Sequence, residues 1–443
     1  MTSAFFPRHP RRLALLAALA STLWLAACGG GSSGSGGGSA TVRALNVVSD
    51  LPSADIYIGG TKQFSAVAND AVTANITVDA NTYSVNVNAA ADAAALLTGS
   101  YALSKDKHYT AIVWGRQTAL RLTTLPEDED AAGITAGNTR LRFFNATVDT
   151  GSLDVFVTAA TVDLGDATPT QGSLTTGTLG GFRDLSAGTY RLRVTGAGDP
   201  NDVRLDIPSI TLPTGVYTTL MLTAGGGGVL VNGTLVQQQA GVTALKNTNA
   251  RVRLVASAPS AGNVGATLGT TTLVGSLRSP GIGPYTLIPA GTQTATVRVN
   301  GVVVSSVTSN FVPGADYTMV AYGDATGAPK VSVLTDDNRL PSVTTRSKIR
   351  IVNGTGGVDA LTMQVDYLTQ TATSNIASGA ASAYATIVST GSSRLDITSP
   401  SAVDPLFTTT AASGTNLLQP QAVYTVFMLG GQTAPAGRLS RDR

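Results

Sequence analysis

The chain holds few residue types that do chemistry at neutral pH, and their placement narrows what it can do. Its single cysteine is Cys28, so no intrachain disulfide can form. This residue follows the apolar stretch Leu13 to Leu23 and the small pair Ala26-Ala27, which sets a nucleophilic sulfur just after a hydrophobic segment. The only histidines are His9 and His108, and the only glutamates are Glu127 and Glu129, which excludes a His-cluster metal site. Nucleophilic hydrolysis needs a base beside a serine or cysteine. His108, directly before Tyr109 at the start of a strand, is read as an exposed or partly buried histidine rather than that base. An aspartate-dependent hydrolase stays open, because aspartates are numerous. Carboxylates cluster in Glu127-Asp128-Glu129-Asp130 and in Asp336-Asp337-Asn338. Calcium takes about 6–8 hard oxygen ligands, yet neither cluster has a spaced Asp-x-Asp-x-Asp loop. Both are expected to be solvated, turn-forming linkers whose side chains cap the backbone, with calcium as the alternative. Gly225 to Gly228 lacks the following Lys-Ser/Thr of a phosphate loop and is expected to form a hairpin turn. Trp114, Tyr57 and Phe156 sit in apolar strands and are expected in the core, a stacked glycan platform being the alternative. No catalytic, cofactor-binding or metal-ligating residue is assigned, and no cofactor is implied.

The start of the chain has the pattern of an export signal. Arg8, Arg11 and Arg12 precede an apolar stretch too short to span a bilayer. Leu25-Ala26-Ala27-Cys28 resembles the lipobox of bacterial lipoproteins. The resemblance implies cleavage before Cys28 and diacylglycerol on its thiol, followed by a stable anchor, since two or more acyl chains hold a bilayer where one does not. Residues 1–27 are then a signal peptide. Residues 28–40 are the anchor and a Gly/Ser tether, flexible by composition. Gly29, where an aspartate would favour the inner membrane, implies the outer membrane of a double-membraned bacterium. Removing the three arginines leaves 26 basic against 27 acidic residues, and no basic patch with interleaved aromatics calls for nucleic acid.

The elements that position these residues are strands. Thr82–Val87 and Tyr190–Val194 alternate apolar and polar residues, as a half-buried strand does. Only Ala89–Leu97 suggests a short helix. Four segments open alike, with Arg43, Arg142, Arg253 and Arg350 each followed three residues later by Asn46, Asn145, Ala256 and Asn353. A Tyr-Thr pair recurs late in each unit: Tyr109-Thr110, Tyr217-Thr218, Tyr317-Thr318 and Tyr424-Thr425. Arginine to tyrosine spans 66, 75, 64 and 74 residues, so unit one matches three and unit two matches four. Arg43 to Arg253 is 210 residues and Arg142 to Arg350 is 208, the mark of a duplicated two-unit module. The recurrent tyrosine is read as structural, either a tyrosine corner or an amphipathic residue at a strand start.

These observations give an all-β chain of four tandem immunoglobulin-like antiparallel β-sandwiches, arranged as two related pairs and each seven-stranded. The expected boundaries are 41–126, 139–241, 251–336 and 347–443. The opening Arg-x-x-Asn, Asp55-Ile-Tyr-Ile58, Asp154-Val-Phe-Val157, Ala187-Gly188-Thr189-Tyr190 and Leu334-Thr335-Asp336-Asp337-Asn338 resemble the bacterial "domain of unknown function 4397" family. The likeness covers most of residues 41–443 and is weakest in unit four, which lacks the aspartate before its second strand. It implies secreted or lipid-anchored sandwich repeats and supplies no activity. The expected function is a non-enzymatic, lipid-anchored envelope protein acting as spacer, adhesion or interaction module. The alternative is a protein that binds a glycan or another envelope polymer. The expected partners are the membrane, through the anchor, and an envelope glycan or protein.

Overall fold

The computed structural model describes residues 37–258, 262–324, 326–388, 390–410 and 418–443. Cys28 and the expected signal segment lie outside the described residues. Gly38–Arg443 forms a single unit built from eight sheets of four or five strands, which pair into four sandwiches. Among the described residues there is no α-helix, only two short 3-10 turns at Ala131–Gly133 and Thr371–Thr373.

Every sandwich repeats one topology. The opening strand (Ser39–Asn46, Asn138–Ala146, Asn249–Ser257 or Arg346–Gly356) lies in one sheet and the next strand crosses to the other. The strand carrying the repeated tyrosine (His108–Arg116, Tyr217–Ala224, Asp316–Gly323 or Val423–Gly431) then pairs beside the opening strand, in parallel. The all-β sandwich architecture therefore stands, with two differences from expectation. Among the described residues each unit contains one parallel pair of named strands among antiparallel ones, and the units carry eight or nine strands rather than seven.

The central parallel strands are covered on both faces. Val42 and Ala44 face the core of the first sandwich with Ala111 and Val113, while Leu45 faces the second sandwich with Ile112. In the second sandwich Leu141 and Phe143 face inward and Phe144 faces back toward the first. The third and fourth repeat this arrangement through Val255 and Val320 against Val352 and Phe427. Strands buried on both faces read as continuous apolar runs, as these do.

The repeated asparagine fixes the turn out of the opening strand. The Asn46 amide donates to the carbonyls of Leu51 and Val67, and its Oδ1 accepts from Val48 N. Asn145 and Asn353 make the same pattern of bonds. The tyrosine works as a corner in three units. The hydroxyls of Tyr109, Tyr317 and Tyr424 accept from the backbone N–H five residues upstream, at 3.2, 2.9 and 2.8 Å.

Three local expectations change. Ala89–Leu97 is no helix: Thr82–Ala89 ends there, Ala91 takes a left-handed φ of 64°, and Ala95–Ala102 returns as a strand with Leu96 and Leu97 on the first core. Tertiary packing outweighs the helix propensity of alanine. Ser39 and Ala40 belong to the opening strand rather than the tether, paired with Asp79 and Val78. Val242–Leu245, beyond the expected end of the second sandwich, is an edge strand of it, paired with Val231–Gln237.

Candidate functional site at the sandwich junctions

The residues that marked the repeats meet on the faces where sandwiches touch. Each repeat arginine lies opposite a threonine of the parallel tyrosine strand: Arg43 with Thr110, Arg142 with Thr219, Arg253 with Thr318 and Arg350 with Thr425. In each pair the arginine Nε donates to the threonine Oγ1, at 2.8, 2.9, 2.9 and 3.3 Å in chain order. The strand that follows ends in a carboxylate that accepts from the same threonine. Thr110 donates to Glu127 at 2.8 Å, Thr318 to Asp336 at 2.6 Å and Thr425 to Asp442 at 2.5 Å. In the second sandwich that strand runs instead into Gln237-Gln238-Gln239.

In the third and fourth sandwiches the pairing is exchanged. Arg253 of the third donates to Asp442 of the fourth at 2.6 Å, and Arg350 of the fourth donates to Asp336 of the third. Tyr285 stands between them. Its hydroxyl donates to Asp336 at 2.6 Å and accepts from Asn338 at 2.9 Å, while Arg251 and Arg253 lie 4.8 and 4.6 Å from its ring centre. Burial pushes the Asp336 carboxyl up, but Arg350 and Arg253 outweigh it and hold it below the usual range. Burial and the neighbouring Asp336 push the Tyr285 hydroxyl well up, so it stays a donor.

The network continues toward the second sandwich. Arg251 donates to Asp316 through Nε and Nη2, at 2.9 and 2.8 Å, and to Asp202 of the second sandwich through Nη1 at 2.8 Å. The glycine run closes over this pair as a hairpin between Tyr217–Ala224 and Val231–Gln237. Gly228 donates to the Gly314 carbonyl at 2.9 Å, and a Cβ on Gly228 would sit 2.6 Å from the Asp316 carboxylate. A Cβ on Gly225 would sit 2.3 Å from the Leu230 carbonyl. Close approach of backbone to backbone and to charge explains these glycines.

The acidic clusters are thus solvated, turn-capping linkers only in part: Glu129 and Asp130 are exposed, and Asp130 caps the Ala131–Gly133 turn by accepting from Ala132 N. Glu127, Asp336 and Asn338 are buried and bonded to protein groups. Asp337 pairs with Arg339 and Lys348, and these outweigh burial to hold its carboxyl at about 2. Asp128 holds His108, which is partly exposed, through Nδ1 at 2.7 Å. Among the described residues no three His, Cys, Asp or Glu converge as metal ligands. Trp114 and Phe156 are buried, Trp114 edge-on to Phe144 at 5.4 Å, and they form no exposed platform with Tyr57. Sequence reasoning missed Arg251, Tyr285, Asp202 and Asp442. Only Asp442 left a signal, since it follows Tyr424 by the interval that separates Tyr109 from Glu127.

The fold and the junctions define a tandem β-sandwich protein whose repeat arginines, each bonded to a threonine of the tyrosine strand, face the neighbouring sandwich. The family described as Domain of unknown function (DUF4397) matches residues 40–156 and 250–361, more than half of the chain. The chain belongs to that family. Each match covers an odd-numbered sandwich and runs into the opening strands of the next. Two solved structures are similar at low identity. One is the fimbrial anchor protein Mfa2 from Porphyromonas gingivalis, at 11% identity, 46% of this chain, 98% of that one and a TM-score of 0.21. The other is the Bacillus anthracis TIE protein, at 10% identity, 64% of this chain, 49% of that one and a TM-score of 0.14. No curated protein matches the chain.

Proposed function

We propose that the chain is a non-enzymatic cell-envelope protein, anchored through lipid on Cys28, that presents its four sandwiches as one jointed body for spacing, adhesion or interaction. The observation that supports this reading is the fate of the repeated charged residues. Arg253 with Asp442 and Arg350 with Asp336 pair across the third and fourth sandwiches, while Arg43 and Glu127, paired with each other in the first, bond to Gln237, Ala240 and Gln239 of the second. A chain of freely jointed modules would not need these contacts, and a catalytic chain would turn such groups toward a substrate. The lipobox-like Leu25-Ala26-Ala27-Cys28 and the Gly/Ser segment after it supply the attachment, and Gly29 favours the outer membrane.

Labelled palmitate and membrane fractionation test the anchor. The wild-type chain should carry label and sediment with membranes. Cys28→Ser should carry none and appear in the soluble fraction. A Cys28→Ser chain that still sediments with membranes would remove lipid anchoring from this reading.

A further inference from the structure

A cleft of about 1070 Å³ opens where the second, third and fourth sandwiches meet. Its walls come from the Asp199–Leu212 strand of the second sandwich, the Gly281–Pro289 strand of the third and residues 441–443 of the fourth. The charges lining it do not balance. Arg204 is held by Asp202, at 3.0 Å from Nε, and by the Thr150 carbonyl. Arg251 is held by Asp316 and Asp202, and Asp442 is taken by Arg253. Of the lining carboxylates, Asp202 and Asp442 therefore already have arginines, and only the exposed Asp199 stands outside any ion pair.

Arg443 is the cation left over. It lines the cleft, forms no ion pair with a described carboxylate, and its Nη1 is buried with no hydrogen-bond partner. Its main-chain oxygen points elsewhere, accepting from Val423 N at 3.1 Å and Arg441 Nε at 3.0 Å. Burial and the like charge of Arg204 and Arg251 push its guanidinium below the usual arginine range. A buried donor left unmade is costly in a folded protein, and an unpaired charge more so. Arg142 and Arg193 also lack a carboxylate, but each donates to a threonine and a carbonyl, whereas the Arg443 side chain makes no hydrogen bond among the described residues, so this guanidinium on a cleft wall calls for a counter-ion from outside.

We propose that this cleft binds a compact organic anion whose carboxylate or phosphate group seats against the guanidinium of Arg443. The planar fork of a guanidinium matches both groups in bidentate fashion. The cleft is at the upper end of small-molecule sites, about 300–1,000 Å³, so a lone inorganic ion would leave most of it empty. Val203, Leu287 and Leu340 give an apolar wall and Asn201 a polar rim, which suits the body of an organic ligand. This site is independent of the anchor, and Cys28→Ser would leave it intact.

Titration calorimetry and thermal melting of the purified full chain at neutral pH test it, with trigalacturonate, inorganic phosphate and neutral maltotriose as probes. Trigalacturonate should bind and raise the melting temperature, phosphate should do so more weakly, and maltotriose should do neither. Arg443→Ala should weaken anion binding by about tenfold or more. Without ligand it should melt at or above the wild-type temperature, because an unpaired cation has been removed. A purely structural arginine gives the reverse pattern, a lower melting temperature with unchanged affinity. Arg443→Gln, which keeps a polar side chain without charge, carries the same test if Arg443→Ala does not fold. Absence of binding by both anions at millimolar concentration overturns the proposal. So does equal binding by maltotriose, unchanged affinity in the variants, or failure of both variants to fold.

Discussion

The two junctions within the pairs use one backbone arrangement and two kinds of chemistry. Between the first and second sandwiches the contact is mainly apolar: nine buried residues, including Leu45, Ile112, Trp114, Phe144 and Met221, form a core of their own. Charge crosses here too: Arg116 of the first sandwich pairs with Asp149 of the second at 2.9 Å and Lys246 of the second with Asp70 of the first, while Arg43 and Glu127, paired at 2.6 Å within the first, reach the second through Gln237, Ala240 and Gln239. Arg142 touches no carboxylate there. It stacks over Phe182 at 4.2 Å and donates to the Pro126 carbonyl. Between the third and fourth sandwiches the apolar core shrinks to Val255, Val320, Val352, Phe427 and Leu429. Two exchanged arginine–aspartate pairs and Tyr285 take up the rest. A duplicated module has kept its geometry while one copy carries the larger apolar core and the other sets its repeat arginines on carboxylates across the junction. Apolar contact tolerates imperfect alignment, whereas paired buried charges are worth their desolvation only in good geometry. The second pair should therefore be the more exactingly fixed of the two.

Removing one charge from the second junction gives the largest expected effect. Asp336 is fully buried and serves Arg350, Thr318 and Tyr285, with Arg253 at 3.9 Å. Asp336→Ala strands Arg350, leaves Arg253 with Asp442 alone and unmakes the bonds of Thr318 and Tyr285, and should cost at the upper end of the usual range for breaking a buried pair, about 5 kcal/mol. Urea unfolding of the full chain measures it. A loss under about 1 kcal/mol would mean that the junction is wet or loosely held, as surface pairs are, and the contrast between the two pairs would fail.

Acid should reach the same junction more gently. Asp336 and Asp337 both have carboxyls held below their ordinary value of 3.8, Asp337 at about 2. A carboxylate with a depressed folded pKa adds stability that is complete above the unfolded value and disappears as pH falls through the folded one. The loss should therefore begin below about pH 4 and deepen toward pH 2. At the first junction the lowered carboxyl is that of Asp128, held by His108. Pepsin at pH 2.5 should accordingly cut first within residues 249–443. Earlier cutting within residues 39–245 would reverse the ranking of the pairs.

Much of this architecture was legible in the sequence because the motifs are local. Arg43, Asn46 and Tyr109 repeat at near-constant spacing since each does one job in one strand. The arginine faces the neighbour, the asparagine clamps a turn, and the tyrosine ties a corner. The partners of those arginines were not legible. Whether Arg350 takes the acid of its own unit or that of the unit before is decided by how two sheets lie across each other, which strand patterns do not encode. The acidic stretches misled for the same reason: Glu127-Asp128-Glu129-Asp130 has the composition of a solvated turn, and only the approach of Arg43 buries Glu127. The parallel pairing of opening and tyrosine strands was equally hidden. Strands covered on both faces lose the alternation from which sheet face and neighbour are inferred.

Arg142 offers the smallest and most discriminating change. Burial pushes its guanidinium below the usual range, only partly offset by Glu129 and Glu127 at a distance. The second sandwich has glutamines where the others have an acid, so this cation is stabilised by an aromatic face and carbonyls. Replacing a poorly paired buried cation by an apolar side chain of similar length is often neutral or stabilising. Arg142→Met should then change the free energy of unfolding by no more than about 1 kcal/mol. The equivalent Arg350→Met strips Asp336 of its close partner and should cost several times more. Measuring both in the same urea series separates two explanations of the repeat arginine. If each is needed for the fold of its own sandwich, the two variants lose equal stability. If its value lies in the carboxylate across the junction, only Arg350→Met is severely destabilised, which is the outcome the exchanged pairs predict.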